Sequence, residues 1–214
     1  MNRVDLIAKF LEDSFDKSVY LSSELDSKKY RLEHSYRVAN IGKQIAIEER
    51  LNVDALVIAC LLHDISYTEA FKSQEDWINH GRKSAQISRS VVEKLDFDEE
   101  TKNNILFGIA IHVDDKSDFE GEKNAFTLSV GDADNIDRFD AYRFYEMLKY
   151  NKFDSLSYDD QVKFVDEQIL RFNKLLKNNF ATSTATRLFH EKIKFSLEFL
   201  SRLRLQLENS RDVK

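Results

Sequence analysis

The chain contains no proline in 214 residues, and only five glycines interrupt it. Proline and glycine are the residues that most strongly end or weaken a helix, so a chain with so few of them favours long helices. Apolar residues recur at helical spacing in one segment after another, and no stretch alternates apolar and polar residues as a half-buried strand would. The sequence therefore predicts an all-α fold.

The predicted helices leave few stretches unassigned. Asp54 and Asp98 are predicted N-caps, because a short acidic side chain accepts hydrogen bonds from the free N–H groups of a first turn. Trp77 and the phenylalanines are expected in the core. We expect a single domain over residues 1–214, with a core at about 25–145 and extra C-terminal helices at about 155–210. The helical patterns cover residues 4–15, 31–49, 54–64, 80–95, 99–112, 125–150, 158–178 and 183–208.

Composition narrows the class of function. The net charge of −6 argues against a nucleic-acid or membrane-surface binder, because both partners favour a basic patch. Cys60 is the only cysteine, so an intramolecular disulfide and a cysteine-based zinc site are excluded. The N-terminal sequence does not resemble a signal peptide, and no apolar run approaches the roughly 18 residues of a membrane span. We therefore expect a cytoplasmic protein; the sequence leaves open whether it forms a homodimer.

The segment LVIACLLHDISY, residues 56–67, places an imidazole and a carboxylate together at the edge of the core. His63 and Asp64 follow seven apolar or small residues, and Ile65 resumes the apolar run. Burying a carboxylate is costly unless it is hydrogen-bonded, paired or bound to a metal. The dyad therefore predicts a compensating partner, which other parts of the chain must supply.

Other histidines and aspartates offer that partner. His34 is predicted to open a helix, and Asp134, within VGDADNID, fits a carboxylate on the inner face of another helix, with Asp132 as its rival. With His63 and Asp64, these residues form a mixed nitrogen and oxygen set that suits Mn²⁺, Fe²⁺, Mg²⁺, Co²⁺ or Zn²⁺.

Two further histidines lie at predicted helix ends. His80 opens one helix and His112 closes another. They offer ligands for a second metal, with Asp64 as a bridge, or contacts to substrate. One or two divalent ions per chain are therefore expected.

The strings HSYRVANIG, ACLLHDIS, HGRKSAQIS and GDADNID resemble the HD superfamily of metal-dependent phosphohydrolases, in particular small bacterial HD hydrolases. The resemblance covers about residues 25–145. It implies a helical bundle in which the metal ligands are His34, His63, Asp64 and Asp134. It also implies hydrolysis of a phosphate ester or anhydride of a nucleotide or related small molecule by a metal-activated water, with His63 and Asp64 as catalytic residues.

One departure from the family pattern concerns the substrate phosphate. Many members carry a lysine soon after the dyad, whereas this chain continues with Ile65-Ser66-Tyr67-Thr68. The cation must then come from elsewhere in the chain. The main candidates are Arg37, Lys83 and Lys116.

Two other functions remain open on sequence grounds. Some HD-fold proteins are di-iron oxygenases that use four histidines and two aspartates, and this chain supplies that count. A non-catalytic ligand-binding HD module is the third hypothesis. A complete set of buried acidic ligands argues against it, because unused buried carboxylates are destabilising.

Overall fold

The computed structural model describes residues 2–211, and within that range it contains helices and loops but no strand. The all-α prediction is confirmed. Two short 3₁₀ helices, Ile65–Thr68 and Phe153–Ser155, accompany the α-helices. The α-helices are α1 (Arg3–Asp16), α2 (Leu25–Glu48), α3 (Val53–Leu62), α4 (Gln74–Ile78), α5 (His80–Val92), α6 (Glu99–Ile111), α7 (Ala125–Asp137), α8 (Ala141–Tyr150), α9 (Tyr158–Leu175) and α10 (Ser183–Asn209).

The helices form two compact units, divided after Asp134. The single domain expected over residues 1–214 stays a prediction. In the first unit, α3 packs against α1, α2 and α6, and every residue from Ala55 to Leu62 is buried. A helix that is apolar on all sides has no face to offer to water, so it occupies the centre. Cys60 lies within it as expected, and burial raises the pKa of its thiol.

The end of α3 determines where the dyad lies. His63 is the C-cap of this buried helix, and Asp64 precedes the first 3₁₀ helix, so both side chains emerge inside the unit. Neither side chain reaches solvent, since His63 is 0% exposed and Asp64 is 3% exposed.

Two glycines allow the close helix packing that brings other side chains to the same place. A Cβ on Gly81 of α5 would lie 2.7 Å from the carbonyl oxygen of Ala110 in α6. A Cβ on Gly131 of α7 would lie 3.2 Å from the carbonyl oxygen of His112. Glycine at these positions therefore lets α5 and α7 approach the C-terminal end of α6.

Three predicted boundaries are wrong, and each has a local cause. Helix α2 begins at Leu25, so His34 lies inside the helix and does not open it; the added segment is too polar to show an apolar stripe. The N-cap of α3 is Asn52, whose side chain accepts a hydrogen bond from the backbone N–H of Ala55, and Asp54 lies in the first turn. The predicted helix over 125–150 is two helices, because Asp140 caps a new one.

Other boundaries are confirmed. Asp98 is the N-cap of α6 and accepts a hydrogen bond of 2.6 Å from the backbone N–H of Thr101. His80 is the first residue of α5, and His112 is the C-cap of α6.

The second unit contains α8, α9 and α10. Helix α10 packs against both of the others, and aromatic side chains fill the contacts. The Phe144 ring, for example, lies 5.0 Å from that of Phe199 and 6.1 Å from that of Phe172. No helix between residues 2 and 211 combines the length and the apolar character needed to cross a membrane.

Candidate metal centre

Four histidines and two aspartates from five helical segments meet at one buried point in the first unit. No more than 5% of any of these side chains is exposed. Their ligand atoms fall into groups in which every atom lies within 4.8 Å of the others. The six residues are His34, His63, Asp64, His80, His112 and Asp134, and we refer to them as the cluster.

The first half of the cluster contains His34, His63 and Asp134. The Nε2 atom of His34 lies 3.3 Å from the Nε2 atom of His63 and 3.2 Å from an Oδ1 atom of Asp134. Both imidazoles also face Asp64, whose Oδ2 atom lies 3.6 Å from each Nε2 atom. This half therefore offers two imidazole nitrogens and two carboxylate oxygens.

The second half of the cluster contains His80 and His112. Their Nε2 atoms lie 3.2 Å apart, and they lie 3.2 Å and 3.6 Å from the Oδ1 atom of Asp64. Asp64 thus turns one oxygen toward each half. The second half has two imidazole nitrogens beside one oxygen of Asp64, and a carboxylate oxygen of Asp134 also lies within 4.8 Å of a ring nitrogen of His112.

Backbone contacts orient three of the four imidazoles. The Nδ1 atoms of His63, His80 and His112 lie 2.7, 2.5 and 2.7 Å from the carbonyl oxygen three residues earlier. A carbonyl oxygen only accepts, so each Nδ1 carries the proton and donates it, and in a neutral ring Nε2 keeps its lone pair. This is the arrangement that metal-ligating histidines adopt.

The same arrangement creates an electrostatic problem that a cation would solve. Between His80 and His112, two Nε2 lone pairs face each other at 3.2 Å unless a proton or a cation lies between them. The two carboxylates beside the four rings favour positive charge at this point. The donor set therefore fits one or two divalent ions.

The ionisation of the cluster differs between its two halves. Burial lowers the pKa of His63 to about 4, although the charge of Asp64 opposes it. Burial also acts to lower the pKa of His112, but its hydrogen bond to Asp64 and the carboxylate charges outweigh burial and raise it. Burial acts to raise the pKa of Asp64, and the surrounding imidazoles more than reverse this, so its pKa lies well below the usual range.

Arg31 reaches the cluster. The Nη1 atom of Arg31 lies 3.1 Å from the Oδ2 atom of Asp64, and its guanidinium lies over the Tyr67 ring, 3.4 Å from the ring centroid. Its side chain is 26% exposed, so it connects the buried carboxylate with the surface.

The family model for the HD domain matches residues 31–142, which is more than half of the chain. The chain belongs to the HD domain family.

The fold of this HD domain resembles that of a solved protein described as a predicted HD superfamily hydrolase from an uncultured Thermotogales bacterium. The two chains share 18% sequence identity at a TM-score of 0.64, and the match covers 96% of this chain and 99% of the other. At that identity the likeness shows a shared fold. No curated protein matches the sequence.

In this HD domain the six residues predicted as first and second metal ligands lie together. Asp134 belongs to the cluster, whereas its rival Asp132 is partly exposed. Among residues 2–211, Asp132 is in no group of side chains whose ligand atoms all lie within 4.8 Å of one another. That these residues bind metal stays a prediction.

The predicted phosphate-binding cations lie in different places. Arg37 lies 6.0 Å from the Tyr30 ring, which stacks on His34. Lys83 contacts Glu69 at 3.6 Å, and Lys116 lies 4.0 Å from Asp114; both lysines are on the surface.

Sequence reasoning missed Arg31. It lies three residues before His34, so both side chains project from the same face of α2. That spacing was the signal that could have revealed it.

Proposed function

We propose that this HD domain is a metal-dependent phosphohydrolase that cleaves a phosphate ester or anhydride of a nucleotide or a related small molecule. The observation that carries the proposal is the position of Asp64, whose two oxygens face two different pairs of imidazoles. A shared carboxylate of this kind suits two neighbouring divalent ions, the arrangement that phosphoryl-transfer sites use.

The ligand set supports Mn²⁺, Fe²⁺, Co²⁺ or Zn²⁺ over Mg²⁺, because imidazole suits these metals and Mg²⁺ prefers oxygen ligands. The first ion would be held by His34, His63, Asp64 and Asp134. The second would be held by His80 and His112, with Asp64 shared. When bound, a divalent ion lowers the pKa of a water molecule from 15.7 to about 7 and polarises a phosphoryl oxygen.

Arg31 is the cation that we assign to the substrate phosphate. Its guanidinium is fixed on the Tyr67 ring and is close enough to Asp64 to face any anion beside the cluster. A guanidinium pairs with two phosphate oxygens at once, and it would neutralise charge on the equatorial oxygens during in-line attack. The Arg31 guanidinium would take the place of a lysine after the dyad.

The reaction is a simple exchange at phosphorus. A water oxygen forms a bond to phosphorus, the bond from phosphorus to the leaving oxygen breaks, and the leaving group departs as an alcohol or phosphate that has gained a proton. The products are inorganic phosphate, or a shortened phosphate chain, and the released group. The cluster needs no serine or cysteine nucleophile for this exchange.

The test is a hydrolysis screen with purified protein loaded separately with Mn²⁺, Co²⁺, Zn²⁺, Fe²⁺ and Mg²⁺, against nucleotides and simple phosphate esters. We expect phosphate release that His63→Ala abolishes. His190→Gln is the matched control, because His190 lies in the second unit, where its Nε2 atom lies 2.9 Å from the carbonyl oxygen of Asn178. Activity that survives His63→Ala or Asp64→Ala unchanged would refute the proposal.

A di-iron oxygenase is the second candidate, because the cluster contains the four histidines and two aspartates that it requires. Metal analysis separates the two functions. Two irons per chain with an iron-dependent optical band, and no phosphate release with any metal, would favour the oxygenase.

A further inference from the structure

Three aromatic side chains surround the imidazole of His80 in the second half of the cluster. Their ring centroids lie 5.2 Å (Tyr67), 6.1 Å (Phe71) and 6.1 Å (Trp77) from that of His80. The rings are not equally available to a ligand. The Arg31 guanidinium covers one face of Tyr67, whereas Phe71 is partly exposed and Trp77 is 50% exposed.

Trp77 lies on a helix that buries none of its own residues. Helix α4 has only five residues, and Trp77 and Ile78 both face solvent. A capping box holds the helix: Ser73 accepts from the backbone N–H of Asp76, and the Asp76 carboxylate accepts from that of Ser73. Trp77 was expected in the core, and its exposure is a correction. The capping box thus holds the backbone that carries this exposed indole.

A hydrogen bond connects the backbone of Trp77 to the cluster. The carbonyl oxygen of Trp77 accepts from the Nδ1 atom of His80 at 2.5 Å. The backbone that carries the exposed ring therefore also orients an imidazole of the second half. A group bound on Trp77 would lie beside the cluster.

There is also space next to one of these rings, Phe71. Phe71 lines a cavity of about 440 Å³ together with polar side chains that include Asn79 and Lys72. This volume falls in the range of small-molecule sites, and the amide and ammonium groups offer hydrogen bonds to the edge of a ring.

Building on the proposed function, we propose that Trp77 and Phe71 form a binding site for a planar ring in the leaving group of the substrate, such as a nucleobase or an aryl group. The phosphate would lie at Arg31 and Asp64, and the ring would stack on Trp77. The occupant is part of the substrate, because the ring centroids of Phe71 and Trp77 both lie 6.1 Å from that of His80 in the cluster. An aliphatic phosphate ester would lack this contact.

Trp77 is the only tryptophan in the chain, so the tryptophan fluorescence comes from this position alone. Metal-loaded protein is titrated with the four ribonucleosides and with phenol, and with ribose as the control without a ring. We expect at least one ring compound to change the emission saturably, and ribose to leave it unchanged. If no ring compound acts differently from ribose, the ring site is overturned, whether or not the protein hydrolyses phosphates.

Kinetics give the second readout. Trp77→Leu is expected to raise KM for the preferred aromatic phosphate by about tenfold to a hundredfold, the loss typical of one stacked base, with little change in kcat. Trp77→Phe should restore most of the affinity, and Ile78→Ala, an exposed apolar neighbour, should have no effect. With glycerol phosphate, Trp77→Leu should match the unaltered protein.

An equal loss on aromatic and aliphatic substrates would show that Trp77 only supports His80, and would overturn the ring site. Ring binding without any phosphate hydrolysis would support the ring site and refute the proposed function. The two proposals therefore fail separately.

Discussion

The two halves of the cluster share Asp64 but differ in what else they offer an ion. The first half adds a second carboxylate, Asp134, within 3.9 Å of both of its imidazoles, whereas in the second half Asp134 lies farther off, within 4.8 Å of His112, and Asp64 is the closer carboxylate. Each additional anionic ligand strengthens the attraction for a divalent cation, so the first half should hold its ion more tightly. The second half should exchange its ion more readily.

The two halves also differ in the aromatic rings that lie next to them. One ring, Tyr30, stacks on His34 in the first half, whereas three rings surround His80 in the second half. The second half also depends on the close approach of α5 to α6 at Gly81. On the proposed function, the first half would hold its ion more tightly, and the second half would lie nearer the leaving group of the substrate.

Replacement of Asp64 should have the largest effect, because this residue serves both halves. We expect Asp64→Ala to lower kcat by on the order of 10³-fold, the upper range for loss of one preorganised charged group, and to reduce bound metal in both halves. Asp64→Asn keeps one carbonyl oxygen and should retain one ion. Asp96→Ala, on the exposed surface, is the control. Normal metal content in folded Asp64→Ala protein, checked by circular dichroism, would contradict the shared role.

Replacement of one histidine in each half tests the difference between them. His34→Ala should remove the tightly held ion and lower kcat by about 10²-fold, whereas His80→Ala should remove only the weaker ion and lower kcat by about tenfold. Metal content after dialysis, measured beside the hydrolysis rate, distinguishes the two variants. The comparison is wrong if His80→Ala loses more metal than His34→Ala.

A change at Gly81 tests the second half without touching a ligand. A methyl group there would meet a backbone oxygen of α6 at 2.7 Å, so Gly81→Ala should push His80 away from His112. We expect loss of the weaker ion and about a tenfold lower rate, with the first ion retained. Ser88→Ala is the matched control on the same helix, because the buried Ser88 hydroxyl makes no hydrogen bond with any group of residues 2–211. Two retained ions in Gly81→Ala would show that the close approach is not needed.

The smallest expected effect is on the pH at which each ion is lost. Protons compete with metal for Nε2, so a ring with a raised pKa loses its ion at a higher pH. The pKa of His112 is raised, whereas that of His63 is lowered to about 4. As pH falls from 8 toward 5, the second half should therefore lose its ion first. Metal content measured against pH should show two steps in the unaltered protein, and His80→Ala should lack the step at higher pH.

Strong local patterns predicted much of the fold. The apolar run of α3 and the capping residue Asp98 were sufficient to place two helices that converge on the cluster. The start of α2 could not be predicted in the same way, because residues 25–30 carry almost no apolar stripe and packing of the later turns extends the helix. The break after α7 was missed because it contains neither glycine nor proline.

The chemistry of the cluster was easier to predict than its surroundings. Histidine and aspartate are few and carry distinctive chemistry, so their order in the chain identified them. Arg31 and Trp77 were missed or misplaced, because arginine and tryptophan have ordinary structural roles in most proteins. Only three-dimensional contacts, with Asp64 and with His80, set these two residues apart.

The most direct test of the account is a crystal structure of the protein grown with Mn²⁺, with anomalous scattering used to locate the ions. We expect two anomalous peaks, one among His34, His63 and Asp134 and one between His80 and His112, with one oxygen of Asp64 coordinating each. A single peak that Asp64 does not touch, or no peak within the cluster, would contradict it.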